Sequence, residues 1–248
     1  MSTDIKGKNI IINADDFGLS ESVNCAIIQL FERGLIDRTT IITNGLFYDD
    51  AVRLSLSNNL MGKVGLHINL DSGIPLSEPI KKNKNFCSTD GVFNGNFKKS
   101  IFKRFVLSKE DIKCVEEELR AQIQKFLNSG FYSLHFDSHH HVHNYLSILK
   151  IIIPIAKNYN FKSSRLCRNL FDTSPNKLKL RYKFALNKMI KSNFITTDFF
   201  GSYADWKLNQ NNLSSSDVEI MVHPDIIESS LVDITGESSY SKIEDYFI

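Results

Sequence analysis

Three short clusters carry most of the side chains in this sequence that could do chemistry. They are Asn13-Ala-Asp15-Asp16-Phe17-Gly18, then Gly65-Leu-His67, and then the run from His135 to His143, which holds five of the seven histidines. Burying that many imidazoles without partners is costly, so the run indicates an organised site. One carboxylate and two imidazoles leave coordination positions open on a divalent ion, as a catalytic metal requires. Together the clusters predict metal-assisted hydrolysis.

Each cluster also has a simpler interpretation when it is taken alone. The Asp15-Asp16 pair could cap the turn after a strand, and an isolated His67 is more often a core histidine with one hydrogen bond. The histidine run could bind metal adventitiously at the surface, and its His139-x-His141-x-His143 spacing resembles a histidine-triad nucleotide hydrolase. Against this, the alternation of a strand would place His135, Asp137 and His139 on one face.

The elements that must position these clusters alternate between strand and helix along the chain. Apolar periodicity predicts helices that begin at Ser20 and Ser108 and end at Gly34 and Gly130, with another over 50–56. The stretch from Asp71 to Asn96 has no sustained period and is interpreted as an inserted loop region. Seven segments are strand candidates, namely 9–13, 38–43, 63–68, 132–137, 161–167, 194–199 and 217–222.

This alternation favours a parallel sheet, and the clusters favour its closure as a barrel. The polar residues lie at or just beyond the carboxyl ends of strand candidates, which is the rim where barrel enzymes do their chemistry. No internal repeat or linker is visible, so residues 1–248 are expected to form one domain.

The composition excludes several other classes of protein. The formal net charge of +2 argues against a nucleic-acid partner, and the basic stretch 177–183 is interpreted as the solvated face of a helix. The longest apolar run, near Ile148 to Ala156, is too short for a membrane span. The four cysteines form no CxxC pair, and no signal peptide is visible, so we expect a reduced, cytoplasmic protein.

The combined motifs resemble the YdjC family of carbohydrate deacetylases over almost the whole chain. The family pattern of NADDFG, GLH, HxDSHxHVH and a late HP pair matches residues 13–18, 65–67, 135–143 and 223–224. The resemblance implies a distorted, TIM-like (β/α) barrel of seven parallel strands, of the glycoside hydrolase/deacetylase type. It also implies metal-dependent removal of an N-acetyl group from an acetylated amino sugar or oligosaccharide.

The same resemblance implies roles for particular residues. Asp16, His67 and His139 would hold one divalent ion, Mg²⁺ or Zn²⁺, although two imidazoles by themselves equally suit cobalt or nickel. Asp15 would be the general base and His223 the general acid, with Arg168 orienting Asp15.

Other residues are expected to orient the ligands or to contact the substrate. His135, Asp137 and His141 are candidates for the first role, and Trp206, the only tryptophan, for a sugar contact. A free sugar, an oligosaccharide and a lipid-linked glycan are the three substrate types that the sequence allows.

The chain ends about one helix earlier than the family pattern, so a neighbouring subunit of a homo-oligomer could cover the exposed surface. A catalytically retired carbohydrate-binding protein is the alternative from a different functional class.

Overall fold

The predicted α/β architecture is confirmed in the computed structural model, which describes residues 10–171, 175–213, 215–234, 241–243 and 246. Seven parallel strands form the main sheet: β1 (Ile10–Phe17), β2 (Arg38–Ile41), β3 (Val64–Ile68), β4 (His135–Ser138), β5 (Ser163–Ser164), β6 (Phe199–Ser202) and β7 (Val218–Val222). Their spatial order is β5-β4-β3-β2-β1-β7-β6. Parallel neighbours require a crossover each time, and the helices supply it.

The two edges of this sheet approach each other through backbone hydrogen bonds. Ser164 donates its N–H to the Ile195 carbonyl at 3.0 Å, and Asn169 donates to the Phe200 carbonyl at 3.2 Å. The predicted strand 161–167 is reduced to β5, and the predicted strand 194–199 is displaced to β6. The physical reason is that Ile195 is exposed and forms only an isolated bridge with Ser163.

Eight α-helices surround the sheet within the described residues. They are α1 (Glu21–Glu32), α2 (Tyr48–Ser57), α3 (Glu78–Lys81), α4 (Asn96–Lys99), α5 (Lys109–Asn128), α6 (Leu146–Asn158), α7 (Lys177–Lys191) and α8 (Tyr203–Asn209). Three 3₁₀ helices span Phe102–Arg104, His139–Asn144 and Gln210–Asn212. The predicted caps are confirmed, because the Ser20 and Ser108 hydroxyls accept the backbone N–H groups of Val23 and Asp111.

The insertion between β3 and α5 is packed against the barrel. The Glu118 carboxylate on α5 accepts the backbone N–H groups of Leu76 and Ser77, at 3.0 and 2.7 Å. Phe86 and Phe97 are buried and their ring centroids lie 4.9 Å apart. The segment predicted as a loop therefore contributes Phe86 to a small apolar anchor that it shares with Phe97 of α4.

A small antiparallel sheet follows β7 and was not predicted. It consists of β8 (Pro224–Ile227), β9 (Ser230–Asp233) and β10 (Ser241–Lys242), and β8 packs against α1. Among the described residues, no helix combines the length and the apolar character that crossing a membrane requires.

Candidate metal centre

A bulge at the end of β1 places two adjacent carboxylates in one site. The pairing of β1 with β2 shifts register between Ala14 and Phe17, and Asp16 has a φ of 69°. In a regular strand, Asp15 and Asp16 would face opposite sides of the sheet. Aspartate adopts the left-handed region more readily than most residues, and this one turn directs both side chains to the barrel mouth.

The three predicted metal ligands converge at this mouth. The Asp16 Oδ1 atom lies 3.2 Å from His67 Nε2 and 2.7 Å from His139 Nδ1. One ligand atom from each of the three buried residues falls within 4.8 Å of the other two. They come from β1, from β3 and from the start of the 3₁₀ helix after β4. Three separate elements therefore fix the three positions.

The hydrogen bonds of His67 aim one of its nitrogens at Asp16. Its Nδ1 lies 2.6 Å from Asp137 Oδ1, and the Thr40 hydroxyl donates to the other oxygen of Asp137 at 3.0 Å. A neutral His67 that donates from Nδ1 presents the Nε2 lone pair to Asp16. Two acceptors facing each other require a cation or a proton between them.

The pKa of His67 also shows that the surrounding carboxylates favour a positive charge at this position. Burial lowers this pKa, but the carboxylates of Asp137, Asp16 and Asp15 outweigh burial and raise it to about 10. A proton therefore occupies the place of a cation when no cation is bound. The donor set and its surroundings fit a divalent ion.

Arg165, which is fully buried, joins the carboxylates of three strands. Its guanidinium forms two hydrogen bonds to Asp15, both at 2.6 Å, and lies 2.8 Å from Asp137 Oδ2. Its Nε donates to Glu219 at 2.5 Å. Burial alone would raise the pKa of Asp15, but Arg165 outweighs it and holds that pKa far below the usual range.

The predicted pairing of Arg168 with Asp15 is wrong. Arg168 bonds to Asp205 at 2.5 Å and to the Leu170 carbonyl, whereas Arg165 holds Asp15. Arg165 lies immediately after β5 and points into the barrel, but Arg168 lies three residues further and is partly exposed. The first arginine alone is placed to reach the interior.

The charges inside the barrel leave a negative surplus. Arg38 pairs with Glu219 Oε2 at 2.6 Å, so that two guanidiniums face four carboxylates in one connected group. With neutral histidines the group carries two surplus negative charges, which equals the charge of one divalent cation. Its members are Asp15, Asp16, Asp137, Glu219, Arg38 and Arg165.

Two other groups of possible ligands are less suited to a cation. In the group of Asp15, His67 and Asp137, both carboxylates already bind Arg165. In the group of Asp71, His139 and His140, Asp71 is already paired with Lys98. The surplus charge therefore belongs to the group that contains Asp16.

The histidine run turns sharply after His139. His140 and His141 have φ values of 46° and 54°, so the run is not a strand. The His143 ring bonds to the Ser138 hydroxyl, and the His141 ring contacts Phe200 edge-on at 5.8 Å. The spacing that resembles a histidine triad therefore does not align its three rings on one face.

The remaining predicted site residues differ in their distance from the mouth. His223 lies at the end of β7, with Nε2 3.8 Å from Asp15 Oδ2. His135 Nδ1 bonds to the Ser163 hydroxyl at 3.0 Å, and its pKa is well below normal because of burial and the nearby Arg38.

Trp206 is almost fully buried. It packs against Tyr203 with a centroid distance of 5.5 Å, and only 9% of its surface is exposed. Little of its ring is therefore available to a sugar, and the proposed contact stays a prediction.

Arg38, Thr40, Arg165 and Glu219 were missed as members of the site. One signal could have found Glu219, which is the one charged residue within the otherwise apolar strand Val218–Val222. An acidic residue within a buried strand needs a cationic partner, and two arginines supply it here.

Comparison with known proteins supports a relationship over the whole barrel. The chain matches the family described as YdjC-like protein over residues 9–246. It is 30% identical over 245 residues to a carbohydrate deacetylase of Clostridium beijerinckii, covering 94% of this chain and 86% of the relative. A carbohydrate deacetylase of Halalkalibacterium halodurans is 31% identical over 227 residues, which cover 90% and 87% of the two chains.

A solved structure is similar in fold. The crystal structure of a proposed cellobiose-phosphate cleavage protein from Enterococcus faecalis superposes with a TM-score of 0.68 at 24% identity. The match covers 90% of this chain and 83% of that protein. The barrel is therefore an architecture that has been observed experimentally.

Proposed function

Because the chain belongs to the YdjC-like family, we propose that it is a single-domain, metal-dependent carbohydrate deacetylase. It hydrolyses the N-acetyl group of an acetylated amino sugar or oligosaccharide. The names of the two bacterial relatives support the substrate class and the reaction. The observation that supports the metal dependence is the meeting of Asp16, His67 and His139 within a group that has two surplus negative charges when its histidines are neutral.

The proposed cofactor is one divalent ion, Mg²⁺ or Zn²⁺, held by these three residues. When bound, such an ion supplies a Lewis acid that acidifies water and polarises a carbonyl oxygen. The two imidazoles favour Zn²⁺, because Mg²⁺ prefers oxygen ligands. Asp137 supports either ion by fixing the orientation of the His67 ring.

Asp15 is proposed as the general base. Arg165 keeps its carboxylate ionised and fixes both of its oxygens. A carboxylate with so low a pKa is a weak base, so Asp15 can take a proton only from a strongly acidified water. The need for an acidified water explains why the base is adjacent in sequence to the proposed metal ligand Asp16.

His223 is proposed as the general acid. Its Nε2 lies 3.8 Å from Asp15, and its side chain is partly exposed at the mouth. It can therefore reach the leaving nitrogen of a sugar that enters from solvent. In the overall reaction Asp15 accepts one proton from water, and protonated His223 delivers one proton to the leaving amine. A proton transfer from Asp15 to His223 then returns both side chains to their starting states.

The direct test is acetate release from N-acetylated mono-, di- and oligosaccharides. We expect EDTA to abolish release and added Zn²⁺ or Mg²⁺ to restore it. Asp16→Ala should lose both metal binding and turnover while its circular dichroism spectrum stays unchanged. Asp49→Ala, which removes an exposed carboxylate on α2, is the matched control and should behave like the wild type.

Two results would contradict the proposal. Full activity of a metal-free Asp16→Ala variant would exclude the metal from the reaction. A protein that binds metal and sugars but releases no acetate from any of them would be a carbohydrate-binding protein instead.

A further inference from the structure

Two neighbouring segments expose large apolar side chains to solvent. The first comprises residues 98–106 and the second is α7; together they are called the basic face. Phe102 is 86% exposed and Leu178 is 78% exposed. Six large apolar residues of the face are exposed in all: Ile101, Phe102, Phe105, Val106, Leu178 and Phe184. Such a concentration of exposed apolar surface is typical of a binding surface.

The same segments concentrate the positive charge of the protein. Residues 98–106 contain four lysines and arginines, α7 contains six, and neither segment contains an acidic residue. Since the whole chain carries +2 and the two segments carry +10, the remainder carries −8. The protein is therefore strongly polarised, although its net charge is small.

The two segments are in direct contact. The Phe105 ring contacts the Tyr182 ring of α7 edge-on, with centroids 5.5 Å apart. The Tyr182 hydroxyl donates to the Asn144 carbonyl and accepts the Leu146 N–H, which fixes α7 to the barrel mouth. Helical periodicity then directs Arg181, Phe184 and Lys188 outward, and all three are exposed.

A chain of direct contacts joins this surface to the candidate metal centre. Lys98 pairs with Asp71, and Asp71 accepts from the ring of His140 at 2.9 Å. The His140 ring lies 3.9 Å from the ring of His139, between centroids. The basic face therefore borders the mouth in which the proposed reaction takes place.

We propose that the basic face docks on the surface of an anionic lipid bilayer. Lysines and arginines would lie among the negative headgroups while the apolar side chains enter the interface between headgroups and acyl chains, as in peripheral amphipathic helices. Docking places the barrel mouth next to the headgroups. This inference stands on the surface alone and does not depend on the proposed reaction.

Other occupants fit the surface less well. A nucleic acid would neutralise the cations and could stack on the phenylalanines, but it would leave Ile101, Val106 and Leu178 without a partner. A second copy of this chain, packed through the same face by two-fold symmetry, would bring two strongly positive surfaces together. A bilayer satisfies the cations and the aliphatic side chains together.

The test is sedimentation of the full chain with vesicles of phosphatidylcholine, with and without phosphatidylglycerol. We expect binding only to the anionic vesicles, weakening as salt is raised. Lys103→Gln and Arg181→Gln should each lower the partition coefficient about fivefold, the factor expected for one basic residue near such a surface. Phe102→Ser combined with Phe184→Ser should also lower it, with the charge unchanged.

Matched controls remove the same residue types elsewhere. Lys150→Gln lies on α6, and Leu56→Ser and Leu208→Ser lie on α2 and α8; all three side chains are exposed. These variants should bind vesicles like the wild type. Release of acetate from a free N-acetylated sugar should be the same in all variants, so a failure to bind vesicles would leave the proposed reaction standing.

Three outcomes would overturn the proposal. One is the absence of binding to anionic vesicles at low salt. Another is a drop in solution mass caused by the paired phenylalanine substitutions without vesicles, which would identify a second copy as the partner. The third is tight binding of single-stranded RNA by a protein that ignores vesicles.

Discussion

The inside of the barrel and the layer between the sheet and the helices are both buried, but they are built from opposite chemistry. On β4, Phe136 points outward, where its ring lies 5.0 Å from that of Phe194, whereas Asp137 points inward to Arg165 at 2.8 Å. On β2, the outward Thr39 bonds to the Ala14 carbonyl, and the inward Thr40 bonds to Asp137. Adjacent residues of one strand thus enter two different environments.

The apolar contacts of the outer layer mainly stabilise the fold, whereas the charged contacts inside the barrel also determine the geometry of the site. Apolar contacts in the outer layer are non-directional, so a neighbour can adjust to a small change. Each interior charge needs a partner at a particular place, because an unpaired buried charge is far more costly than a lost apolar contact. Outward substitutions should therefore change stability alone, and inward substitutions should change stability and chemistry together.

Arg165→Met should have the largest effect. It leaves the carboxylates of Asp15, Asp137 and Glu219 without their shared cation. Breaking a buried ion pair costs about 3–5 kcal/mol, so we expect at least that loss in the free energy of unfolding. Acetate release should also be lost, since Asp15 is no longer oriented. Urea unfolding and an activity assay on the folded fraction measure the two effects.

Arg120→Met is the matched control for this substitution. Arg120 is exposed on α5, so its removal should change the unfolding free energy by less than about 0.5 kcal/mol. If Arg165→Met were equally mild, the interior charges would not be a connected group, and the contrast between the two layers would be lost.

Phe136→Ala should affect only stability. The ring contacts Phe161 and Phe194 and is fully buried, and truncating such a residue costs about 3–5 kcal/mol. Phe136→Leu should cost less, because it conserves most of the volume. Metal affinity and turnover per folded molecule should match the wild type in both variants. A tenfold loss of metal affinity in Phe136→Leu would show that the two layers are coupled.

Much of this contrast could be predicted from the sequence. Five of the seven strands follow from the segments predicted for them, and the position of the three clusters at the barrel mouth follows from their places at strand ends. Both depend on local patterns, which a sequence displays directly. The choice of His139 within the histidine run rests on the family resemblance. The alternation also correctly placed His135 and Asp137 on one face of β4, whereas His139, which was predicted to share that face, lies beyond the end of the strand.

The network behind the ligands could not be predicted in the same way. Arg165 follows a strand of only two residues, in which no alternation shows which arginine points inward. The bulge at Asp16 and the left-handed pair His140-His141 depend on contacts with residues far along the chain. The sheet of β8 to β10 was missed because its strands are short and its cover is α1.

The pH dependence of stability should also report on the interior. Burial raises the pKa of Glu219, but Arg38 and Arg165 outweigh it and lower that pKa to about 2. A lowered pKa stabilises the folded state above the unfolded value of about 4.5, and this contribution is lost as the pH falls toward 2. The expected size is on the order of 3 kcal/mol.

Glu219→Gln isolates this contribution. Its unfolding free energy should be lower than that of the wild type at neutral pH, and the difference should shrink as the pH falls from about 5 to about 2. Urea unfolding across this range measures it. A difference that stayed constant with pH would show that the ionisation of Glu219 is not linked to folding.

The smallest effect should give the sharpest comparison, because it involves two neighbouring threonines. Both are fully buried on β2, and valine replaces either one with nearly the same shape. Thr39→Val removes the bond to the Ala14 carbonyl and should lower the unfolding free energy by about 1 kcal/mol, with metal affinity unchanged. Thr40→Val removes the bond that fixes Asp137 behind His67, and should lower metal affinity or turnover about 10- to 100-fold.

Thr40→Ser keeps the hydroxyl and should restore most of the metal affinity lost in Thr40→Val, which a general packing defect would not allow. Isothermal titration with Zn²⁺, alongside urea unfolding, separates the two quantities for all three variants. If Thr39→Val and Thr40→Val lowered metal affinity equally, the site would depend on the position of β2 as a whole. If only Thr40→Val lowers it, the site depends on one hydroxyl that faces the inside of the barrel, and the two faces of a single strand serve different purposes.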